Sequence, residues 1–180
     1  DLSSQHHVVT IGRKPLPPAD NQTHCTGLFS EFEDLRQLDA HRFDAVVHLA
    51  AVTGGCLERD GILVNVEGTR RLMRYHIDRG CPKFVLTSST AVVGFQDPAF
   101  RPEQVPIPDE HPCLDRDGYG LSKYLMEEVT KYYHRQNPQV DVINLRLAAI
   151  GPDEDMPPKV GIGPAGPWAV GSLTMLKRSE

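Results

Sequence analysis

The sequence predicts an α/β fold with a parallel sheet and helices on both of its faces. Short runs of apolar and β-branched residues recur at wide intervals, which is typical of strands that are buried on both faces. Segments with helical spacing of apolar residues separate these runs. Because strand and helix alternate, right-handed crossovers and a doubly wound parallel sheet are expected. The predicted strands are His7 to Ile11, Asp44 to Ala51, Lys83 to Ser88 and Val140 to Leu147.

Two of the helical segments have clear apolar faces. The first precedes the third strand and the second precedes the fourth. Their apolar positions are Ile62, Val66, Met73 and Ile77 in the first helix, and Leu121, Leu125, Val129 and Tyr132 in the second. In an open sheet of this kind, ligands bind beyond the carboxyl ends of the strands. The residues that directly follow each apolar run are therefore the candidates for a binding site.

Composition narrows the class of protein. The 180 residues include 24 Asp and Glu and 19 Lys and Arg, which gives a net charge of -5 and suits one globular domain. A chain with this charge is not expected to bind nucleic acid. The first seven residues lack the basic and then apolar layout of a signal peptide. Repeated glycine and proline interrupt the uncharged stretch 160–176, so no membrane partner is expected either.

The cysteines bear on metal binding and on cellular location. None of the four has the paired spacing that zinc sites use; they are Cys25, Cys56, Cys81 and Cys113. We therefore predict no metal site and reduced thiols. Reduced thiols are typical of chains in the cytoplasm, which is the expected location.

The sharpest local signal is a tyrosine and a lysine four residues apart, Tyr119 and Lys123, at the start of the second helix. Residues four apart lie on one face of a helix, so the ammonium group can come close to the phenol. A nearby cation favours the phenolate and lowers a phenol pKa from its usual value of about 10. The pair predicts a tyrosine that exchanges protons near neutral pH. Taken alone, such a pair is more often part of an ordinary amphipathic helix.

Hydroxyl side chains cluster where the third predicted strand ends. The apolar residues Phe84 to Leu86 run directly into Thr87, Ser88, Ser89 and Thr90. A serine at that carboxyl end could hydrogen-bond a substrate oxygen beside Tyr119, although single serines and threonines at strand ends more often form turns. The two signals together favour a reaction centre.

Several segments, in order along the chain, resemble the extended short-chain dehydrogenases/reductases, also described as the NAD-dependent epimerase/dehydratase family. The resemblance extends from Val8 to Pro152, and its motifs occur at plausible spacings. They are Asp44 to Ala51, Asn65 to Thr69, Phe84 to Gly94, Tyr119 to Lys123 and Leu145 to Leu147. The resemblance implies a Rossmann-like doubly wound sheet that binds a nicotinamide dinucleotide.

The resemblance also implies roles for individual residues. Tyr119 would be the catalytic acid or base, Lys123 would lower its pKa and bond the nicotinamide ribose, and Ser89 would polarise the reacting carbonyl or hydroxyl. Hydride would pass between a carbinol carbon and the nicotinamide ring, while the protein supplies orientation and the proton path. His48, within an apolar strand, is expected to be structural. The residues expected to bind the cofactor are Gly12, Arg13, Leu49, Ala50, Ala51, Asn65, Tyr119 and Lys123.

The family pattern is incomplete in this sequence. A nucleotide-binding fold of this type has a glycine-rich loop after its first strand and an acidic residue about 20 positions later. Here the strand from Val8 to Ile11 ends in Gly12 and Arg13, where the acidic residue would stand. The first strand and the glycine-rich loop are therefore expected to be missing from the sequence. Arg13 in place of an acid favours NADP slightly over NAD.

These observations divide the chain into two parts. Residues 1–150 are predicted to form a Rossmann-like NAD(P)-binding domain that is incomplete at its N-terminus. Residues 151–180 are predicted to be the glycine- and proline-rich start of a substrate-binding region. We expect the active protein to be longer than 180 residues and this chain alone to bind a dinucleotide poorly. The proline-rich stretch from Gln96 to Pro112 cannot be helical and is predicted to be a long loop that borders the substrate pocket.

The predicted function is that of an NAD(P)-dependent oxidoreductase or epimerase acting on a hydroxyl or carbonyl of a sugar or sugar acid. Thr90 and Ala91 follow Ser89 where dehydratases of the family have Asp and Glu, so a dehydratase is disfavoured. The stretches His48 to Gly55 and Arg146 to Pro152 are closer to family members that oxidise sugar acids. A homodimer is expected, as is common in the family. The alternative is a non-catalytic dinucleotide-binding or regulatory domain that kept the fold.

Overall fold

The computed structural model describes residues 2–53, 55–97, 100–148, 150–151 and 176–177. Within them the chain forms parallel strands and helices. The strands are β1 (Val8–Gly12), β2 (Gln22–Thr26), β3 (Val46–His48), β4 (Lys83–Ser89), β5 (Asp141–Leu147), β6 (Ile150–Gly151) and β7 (Leu176–Lys177). The α-helices are α1 (Phe32–Leu35), α2 (Glu58–Gly61), α3 (Thr69–Asp78) and α4 (Gly118–Gln136), with a π-helical segment, Ile62–Gly68, between α2 and α3. Short 3₁₀ turns cover Leu2–Ser4, Arg36–Leu38 and Thr90–Val93.

Every strand pair in these residues is parallel. β1 pairs with β2, β4 pairs with both β3 and β5, and β6 pairs with β7. Among the described strands, no hydrogen-bonded ladder joins β1 to β3. A doubly wound sheet with the strand order 3-2-1-4-5-6 contains these same two groups on either side of its first strand. The predicted α/β class with a parallel, doubly wound arrangement is therefore confirmed.

β2 is a strand that the apolar pattern did not predict. Its residues, Gln22–Thr26, are mostly polar, exposed at both ends and half-buried between them. Its ladder with β1 runs from Val8 opposite Gln22 to Gly12 opposite Thr26. Since backbone hydrogen bonds hold an edge strand whatever its side chains, no apolar run marks it. β3 is shorter than predicted and covers only Val46–His48.

Helix α3 joins the two sheets because it contributes to both apolar clusters of the core. Met73 and Ile77 pack with Phe84 and Leu86 of β4 in the first cluster. Leu72 and Tyr75 belong to the second cluster, together with Leu35 and Leu38 after β2; Val9, Ile11 and Cys25 of β1 and β2 pack against it. A large apolar side chain that becomes fully buried contributes about 1.5–3 kcal/mol. The two sheets are therefore held by side-chain packing.

The apolar face predicted for the first helix is confirmed in part, and the one predicted for α4 is wrong. Met73 and Ile77 of α3 are buried as predicted, whereas Ile62 is 41% exposed. In α4 the prediction is wrong: Leu121, Leu125 and Val129 are only half-buried, and Tyr132 is exposed. The face of α4 that packs inward carries mainly polar residues, namely Ser122, Lys123, Met126, Glu127, Thr130 and Tyr133. Hydrophobic periodicity selects the wrong side of a helix when its buried side chains are polar and hydrogen-bonded.

The proline-rich stretch after β4 is irregular, as predicted, in all of its described residues. Phe100 and His111 are buried in it, with ring centres 5.9 Å apart. Gly94 adopts a φ of 112°, and a Cβ there would lie 2.8 Å from the Phe100 ring. This left-handed backbone needs glycine, and it turns the chain from the end of β4 into the loop.

Three further predictions concern the C-terminal region, the cysteines and membrane-spanning helices. Most of the predicted substrate-binding region, 152–175 and 178–180, lies outside the described residues. All four cysteines are free. None of the helices in the described ranges combines the length and apolar composition needed to cross a membrane.

Candidate active site

An aspartate cap fixes the first turn of α4. The carboxylate of Asp117 accepts hydrogen bonds from the backbone N–H groups of Tyr119 at 2.7 Å and of Gly120 at 3.0 Å. Two of the N–H groups that a helix start leaves without intrahelical partners are satisfied in this way. Tyr119 therefore lies in the first turn of α4, at the helix start that the sequence predicts.

Two glycines let α2 approach the start of α4 closely. A Cβ on Gly118 would lie 2.7 Å from the backbone nitrogen of Glu58 and 2.9 Å from the carbonyl oxygen of Cys56. A Cβ on Gly61 would lie 2.9 Å from the carbonyl oxygen of Gly118. Because these neighbours are backbone atoms, they cannot rotate aside. The spacing of the two helices depends on both residues being glycine.

Gly118→Ala is expected to lower the free energy of unfolding by about 1–3 kcal/mol, the usual range for forcing an extra carbon into a packed contact. Chemical denaturation measures the change. Gly12→Ala is the control, since its Cβ would meet His24 at an ordinary distance of 3.6 Å. Equal unfolding free energies for Gly118→Ala and the parent would contradict the close approach of α2 and α4.

Ser89 and Tyr119 meet in the structure. Ser89 is the last residue of β4, and its hydroxyl accepts a hydrogen bond from the backbone N–H of Ala91 at 3.1 Å. The same hydroxyl lies near enough to the Tyr119 phenol to act on its pKa. The carboxyl end of β4 and the first turn of α4 therefore adjoin each other, and a hydroxyl faces a phenol between them.

The pKa of Tyr119 is raised above the usual tyrosine value. Burial of the phenol is the largest cause; the hydrogen bond from Ser89 acts in the opposite direction, and Cys56 and Asp117 add to the rise. The ammonium of Lys123 lies 5.9 Å from the centre of the Tyr119 ring. The expected lowering of the Tyr119 pKa is therefore not seen in this structure, because burial of the phenol is the largest influence on it.

Lys123 is a buried cation that is held by a backbone carbonyl. Its side chain is 2% exposed, and Nζ donates a hydrogen bond to the carbonyl oxygen of Thr87 at 2.7 Å. Within the described residues, no ion pair joins it to a carboxylate. Burial lowers the pKa of the ammonium to about 8. A lysine with such a pKa can give up its proton close to physiological pH.

His48 is buried, as the sequence predicts. Its Nε2 lies 3.0 Å from the hydroxyl of Thr69, and its ring centre lies 4.7 Å from that of Phe29. Burial, with a smaller contribution from the cation of Lys123, lowers the pKa of His48 to about 4. A neutral imidazole packed between these groups supports the β3 strand.

Asn65 links the loop after β3 to helix α4 by hydrogen bonds. Its Oδ1 accepts a hydrogen bond from the backbone N–H of Val52 at 2.9 Å, and its Nδ2 donates to the Val52 carbonyl at 3.0 Å and to the Ser122 hydroxyl at 2.9 Å. The carboxamide is 1% exposed and lies in the π-helical segment. Both donor hydrogens of the amide are therefore already in use on the protein.

The other residues expected to bind the cofactor follow strand ends. Gly12 is the last residue of β1, and Arg13 after it is exposed. Leu49 and Ala50 follow β3 and are exposed, while Ala51 is half-buried. In the described part of the chain, no hydrogen bond or ion pair links Gly12 or Arg13 to Ser89, Tyr119 or Lys123.

A polar network that we did not predict lies one helical turn beyond Lys123. The carboxylate of Glu127 binds the hydroxyl of Ser88 and the guanidinium of Arg146. The sequence feature that could have indicated this network was a glutamate four residues after Lys123, on the same helical face, together with an arginine in the following apolar strand. No group of three or more His, Cys, Asp or Glu side chains placed to hold a metal ion occurs in the described ranges.

The family model described as the NAD dependent epimerase/dehydratase family matches residues 2–160. The chain belongs to this family. UDP-glucose 4-epimerase 2 of Oryza sativa subsp. japonica is 33% identical to it over 109 residues, which are 58% of this chain and 25% of the rice protein. The matched region is thus a minor part of that curated relative.

Two solved structures share the fold of this chain. Bordetella bronchiseptica WbmG in complex with NAD has a TM-score of 0.70 at 24% identity, over 89% of this chain and 50% of that one. A short-chain dehydrogenase/reductase superfamily protein from Agrobacterium tumefaciens with bound NAD has a TM-score of 0.62 at 30% identity, over 74% of this chain and 41% of that one. This chain of the epimerase/dehydratase family spans about half of their length or less.

Proposed function

We propose that the chain is the catalytic part of an NAD(P)-dependent oxidoreductase or epimerase that acts on a hydroxyl or carbonyl of a sugar or sugar acid. The observation that carries the proposal is the adjoining set of Ser89, Tyr119 and Lys123 at the carboxyl end of β4. The Ser89 hydroxyl lies near enough to the Tyr119 phenol to lower its pKa, and Lys123 is buried with its ammonium 5.9 Å from the centre of the phenol ring.

The donor set suits the nicotinamide and ribose part of a dinucleotide. An ammonium group has three N–H donors, and Thr87 takes one from Lys123 in the described structure, which leaves donors for ribose hydroxyls. The exposed backbone of Leu49 and Ala50 leaves room for a ligand beyond β3. When bound there, the dinucleotide would supply the acceptor and donor of hydride for the substrate carbon.

The proposed mechanism uses the chain's own groups for the proton. Ser89 donates a hydrogen bond to the substrate oxygen and holds it beside the Tyr119 phenol. As the substrate hydroxyl is oxidised, the phenolate form of Tyr119 takes its proton and becomes the phenol, and the phenol returns that proton to the same oxygen when the carbonyl is reduced. Lys123 places a positive charge near the phenol and stabilises the phenolate form during this exchange.

The relatives guide the choice of substrate. The rice relative carries the name UDP-glucose 4-epimerase, so a UDP-linked hexose is the first substrate to test. A free sugar acid is the second, because the stretches His48 to Gly55 and Arg146 to Pro152 are closer to family members that oxidise sugar acids. Epimerisation at a ring carbon and oxidation of a hydroxyl both begin with removal of hydride and proton, so the same three side chains serve both reactions.

We further propose a preference for NADP over NAD. It rests on Arg13, which is exposed at the end of β1 where an acidic residue would otherwise bond the ribose 2′-hydroxyl. An exposed guanidinium can pair with a 2′-phosphate instead. Titration calorimetry with NADP and NAD separates the two; both solved neighbours described above were determined with NAD.

We also propose a homodimer in the cytoplasm. In α4, Leu121 and Leu125 are only half-buried, and the neighbouring π-helical segment leaves Ile62 and Leu63 exposed. A second copy of the chain would cover these side chains. The four free cysteines suit a reducing compartment.

Tyr119→Phe is expected to reduce turnover of the best sugar substrate by about 100-fold or more, since it removes the group that exchanges the proton. Tyr124→Phe, the same change five residues on in α4, is the matched control and should keep the parent's turnover. The measurement is the steady-state rate of NAD(P)H formation, or of epimer formation, with each variant shown to be folded.

The alternative function, a non-catalytic dinucleotide-binding domain, makes the opposite prediction. It needs no phenol beside a buried ammonium, so the geometry of Tyr119 and Lys123 favours catalysis. If the chain binds NADP or NAD without any hydride transfer, or if Tyr119→Phe stays within about threefold of the parent, the alternative replaces our proposal.

A further inference from the structure

A buried carboxylate joins the end of β4 to α4 and β5. Glu127 is 3% exposed. Its Oε1 accepts hydrogen bonds from the Ser88 hydroxyl at 2.5 Å and from Nε of Arg146 at 2.9 Å, and its Oε2 accepts one from an Nη of Arg146 at 2.8 Å. Hydrogen bonds between charged groups in this bidentate arrangement are among the strongest in proteins, and their geometry is specific.

Glu127 acts on the same strand end as Lys123. The two residues lie four apart on one face of α4. Lys123 binds the carbonyl oxygen of Thr87, and Glu127 binds the hydroxyl of Ser88. The next residue of β4 is Ser89, whose hydroxyl lies near enough to the Tyr119 phenol to act on its pKa. Two side chains from one helix face therefore hold two consecutive residues just before the candidate catalytic serine.

Strand β5 supplies the opposite charge. Arg146 stands directly opposite Ser88 in the β4–β5 ladder, and its side chain is 21% exposed. A carboxylate as buried as that of Glu127 stays ionised only when it is paired and hydrogen-bonded. Pairing with the Arg146 guanidinium thus offsets the cost of burying the charged Glu127 side chain. The resulting hydrogen bonds connect β4, α4 and β5.

We propose that Glu127 is a positioning residue that fixes the end of β4 against α4, so that Ser89 stays within hydrogen-bonding reach of Tyr119. The inference rests on the proposed function. Apolar residues of similar volume pack a core at least as well as a buried ion pair does, so stability alone does not call for this network. The orientation of the reacting groups does call for this network, because a displacement of about 1 Å near a reaction centre can cost about 100-fold in rate.

Glu127→Gln keeps the shape of the side chain and removes its charge. We expect kcat to fall about tenfold while KM for the sugar substrate stays within about twofold, since positioning affects the reacting atoms more than substrate binding. Glu128→Gln is the matched control, because Glu128 forms only a surface ion pair with Lys131. It should leave both constants unchanged. A kcat for folded Glu127→Gln within about twofold of the parent overturns the proposal.

Ser88→Ala provides the second test and suffices if Glu127→Gln does not fold. It removes the hydroxyl and leaves the pair of Glu127 with Arg146 intact. The same fall in kcat is expected. Where both single variants fold, their effects should not add in the double variant, because each breaks the same connection. Additive effects, or an unchanged kcat in Ser88→Ala, overturn the proposal.

A spectroscopic readout separates this inference from the proposed function. Tyrosine labelled with ¹³C at Cζ gives a resonance for Tyr119, which Tyr119→Phe identifies. That resonance should move in Ser88→Ala and Glu127→Gln, as it should in Ser89→Ala, which removes the neighbouring hydroxyl, and should stay in place in Glu128→Gln. Absence of turnover in the full-length protein refutes the proposed function, whereas an unmoved Tyr119 resonance refutes the positioning role even in an active enzyme.

Discussion

Lys123→Met is expected to be more stable than the parent at pH 7 and to lose at least about 100-fold in turnover. The pKa of Lys123 falls from 10.5 to about 8 because the ammonium is buried. Since one pKa unit corresponds to about 1.4 kcal/mol, the folded protein carries a penalty of about 3 kcal/mol for a protonated Lys123. Loss of the hydrogen bond to Thr87 offsets about 1 kcal/mol. The net gain in the free energy of unfolding is therefore about 2 kcal/mol.

The stability difference should depend on pH in a defined direction. A lysine whose pKa is lowered in the folded state gives the parent its full stability above pH 10.5, and this stability is lost as the pH falls through about 8. The advantage of Lys123→Met should thus be largest at and below pH 7 and should shrink as the pH rises from 8 to 10.5. Urea titrations at several pH values measure it.

The matched control for this variant is Lys131→Met. Lys131 lies on the same helix, two turns further on, and its ammonium forms an ion pair with Glu128 at the surface. Exposed pairs of this kind contribute about 0–1 kcal/mol, so this variant should show little change in stability at any pH. If Lys123→Met proved less stable than the parent at pH 7, the ammonium would have to be better solvated or paired than its 2% exposure implies.

Acidification is expected to destabilise the parent by up to about 3 kcal/mol for each of two buried histidines as the pH falls from 6.5 to about 4. Burial is the main cause of a pKa of about 4 for His48 and for His76; the cations of Lys123 and Arg79 add smaller effects. A histidine whose pKa is lowered in the folded state supplies stability above pH 6.5, and that stability is lost as the pH falls through about 4.

His76→Phe is the variant that tests the acid effect. His76 is 2% exposed, its Nδ1 has no hydrogen-bond partner among the described groups, and its ring meets the rings of Phe43 and Tyr75 edge-on at 5.0 Å. A phenyl ring suits these neighbours and cannot be protonated. The variant should lose about half of the pH dependence between pH 6.5 and 4, whereas His6→Gln, at an exposed position, should retain all of it. A pH dependence unchanged in His76→Phe would exclude the residue as its source.

The sequence predicted those parts of the fold whose signal is local. β4 and β5 lie in the predicted apolar runs; β4 is buried or half-buried after Lys83, whereas Ile143 and Leu145 of β5 are exposed. The first turn of α4, with Tyr119, follows from the spacing of a few residues. β2 was missed because an edge ladder made by backbone groups leaves no side-chain pattern, as Gln22–Thr26 illustrates.

The candidate site was predictable by residue type but not by its contacts. Periodicity placed the buried face of α4 on Leu121, Leu125 and Val129, whereas the buried side carries Lys123 and Glu127. Hydrophobic periodicity assumes that charged side chains are exposed, so it cannot predict charged side chains that are buried and hydrogen-bonded to partners in other strands. The direction of the pKa change at Tyr119 was predicted wrongly for a related reason. Burial of the phenol raises this pKa, and burial is a property of the assembled fold.

The separation of the two sheets has a consequence for how the chain behaves in solution. Among the described strands, β1 pairs only with β2 and β3 pairs only with β4, so each has one side outside a ladder. Free strand edges present rows of N–H and C=O groups that recruit other chains. An isolated preparation of these residues should therefore self-associate more readily as its concentration rises. An extended peptide that docks between the two edges would suppress this association by occupying both rows at once.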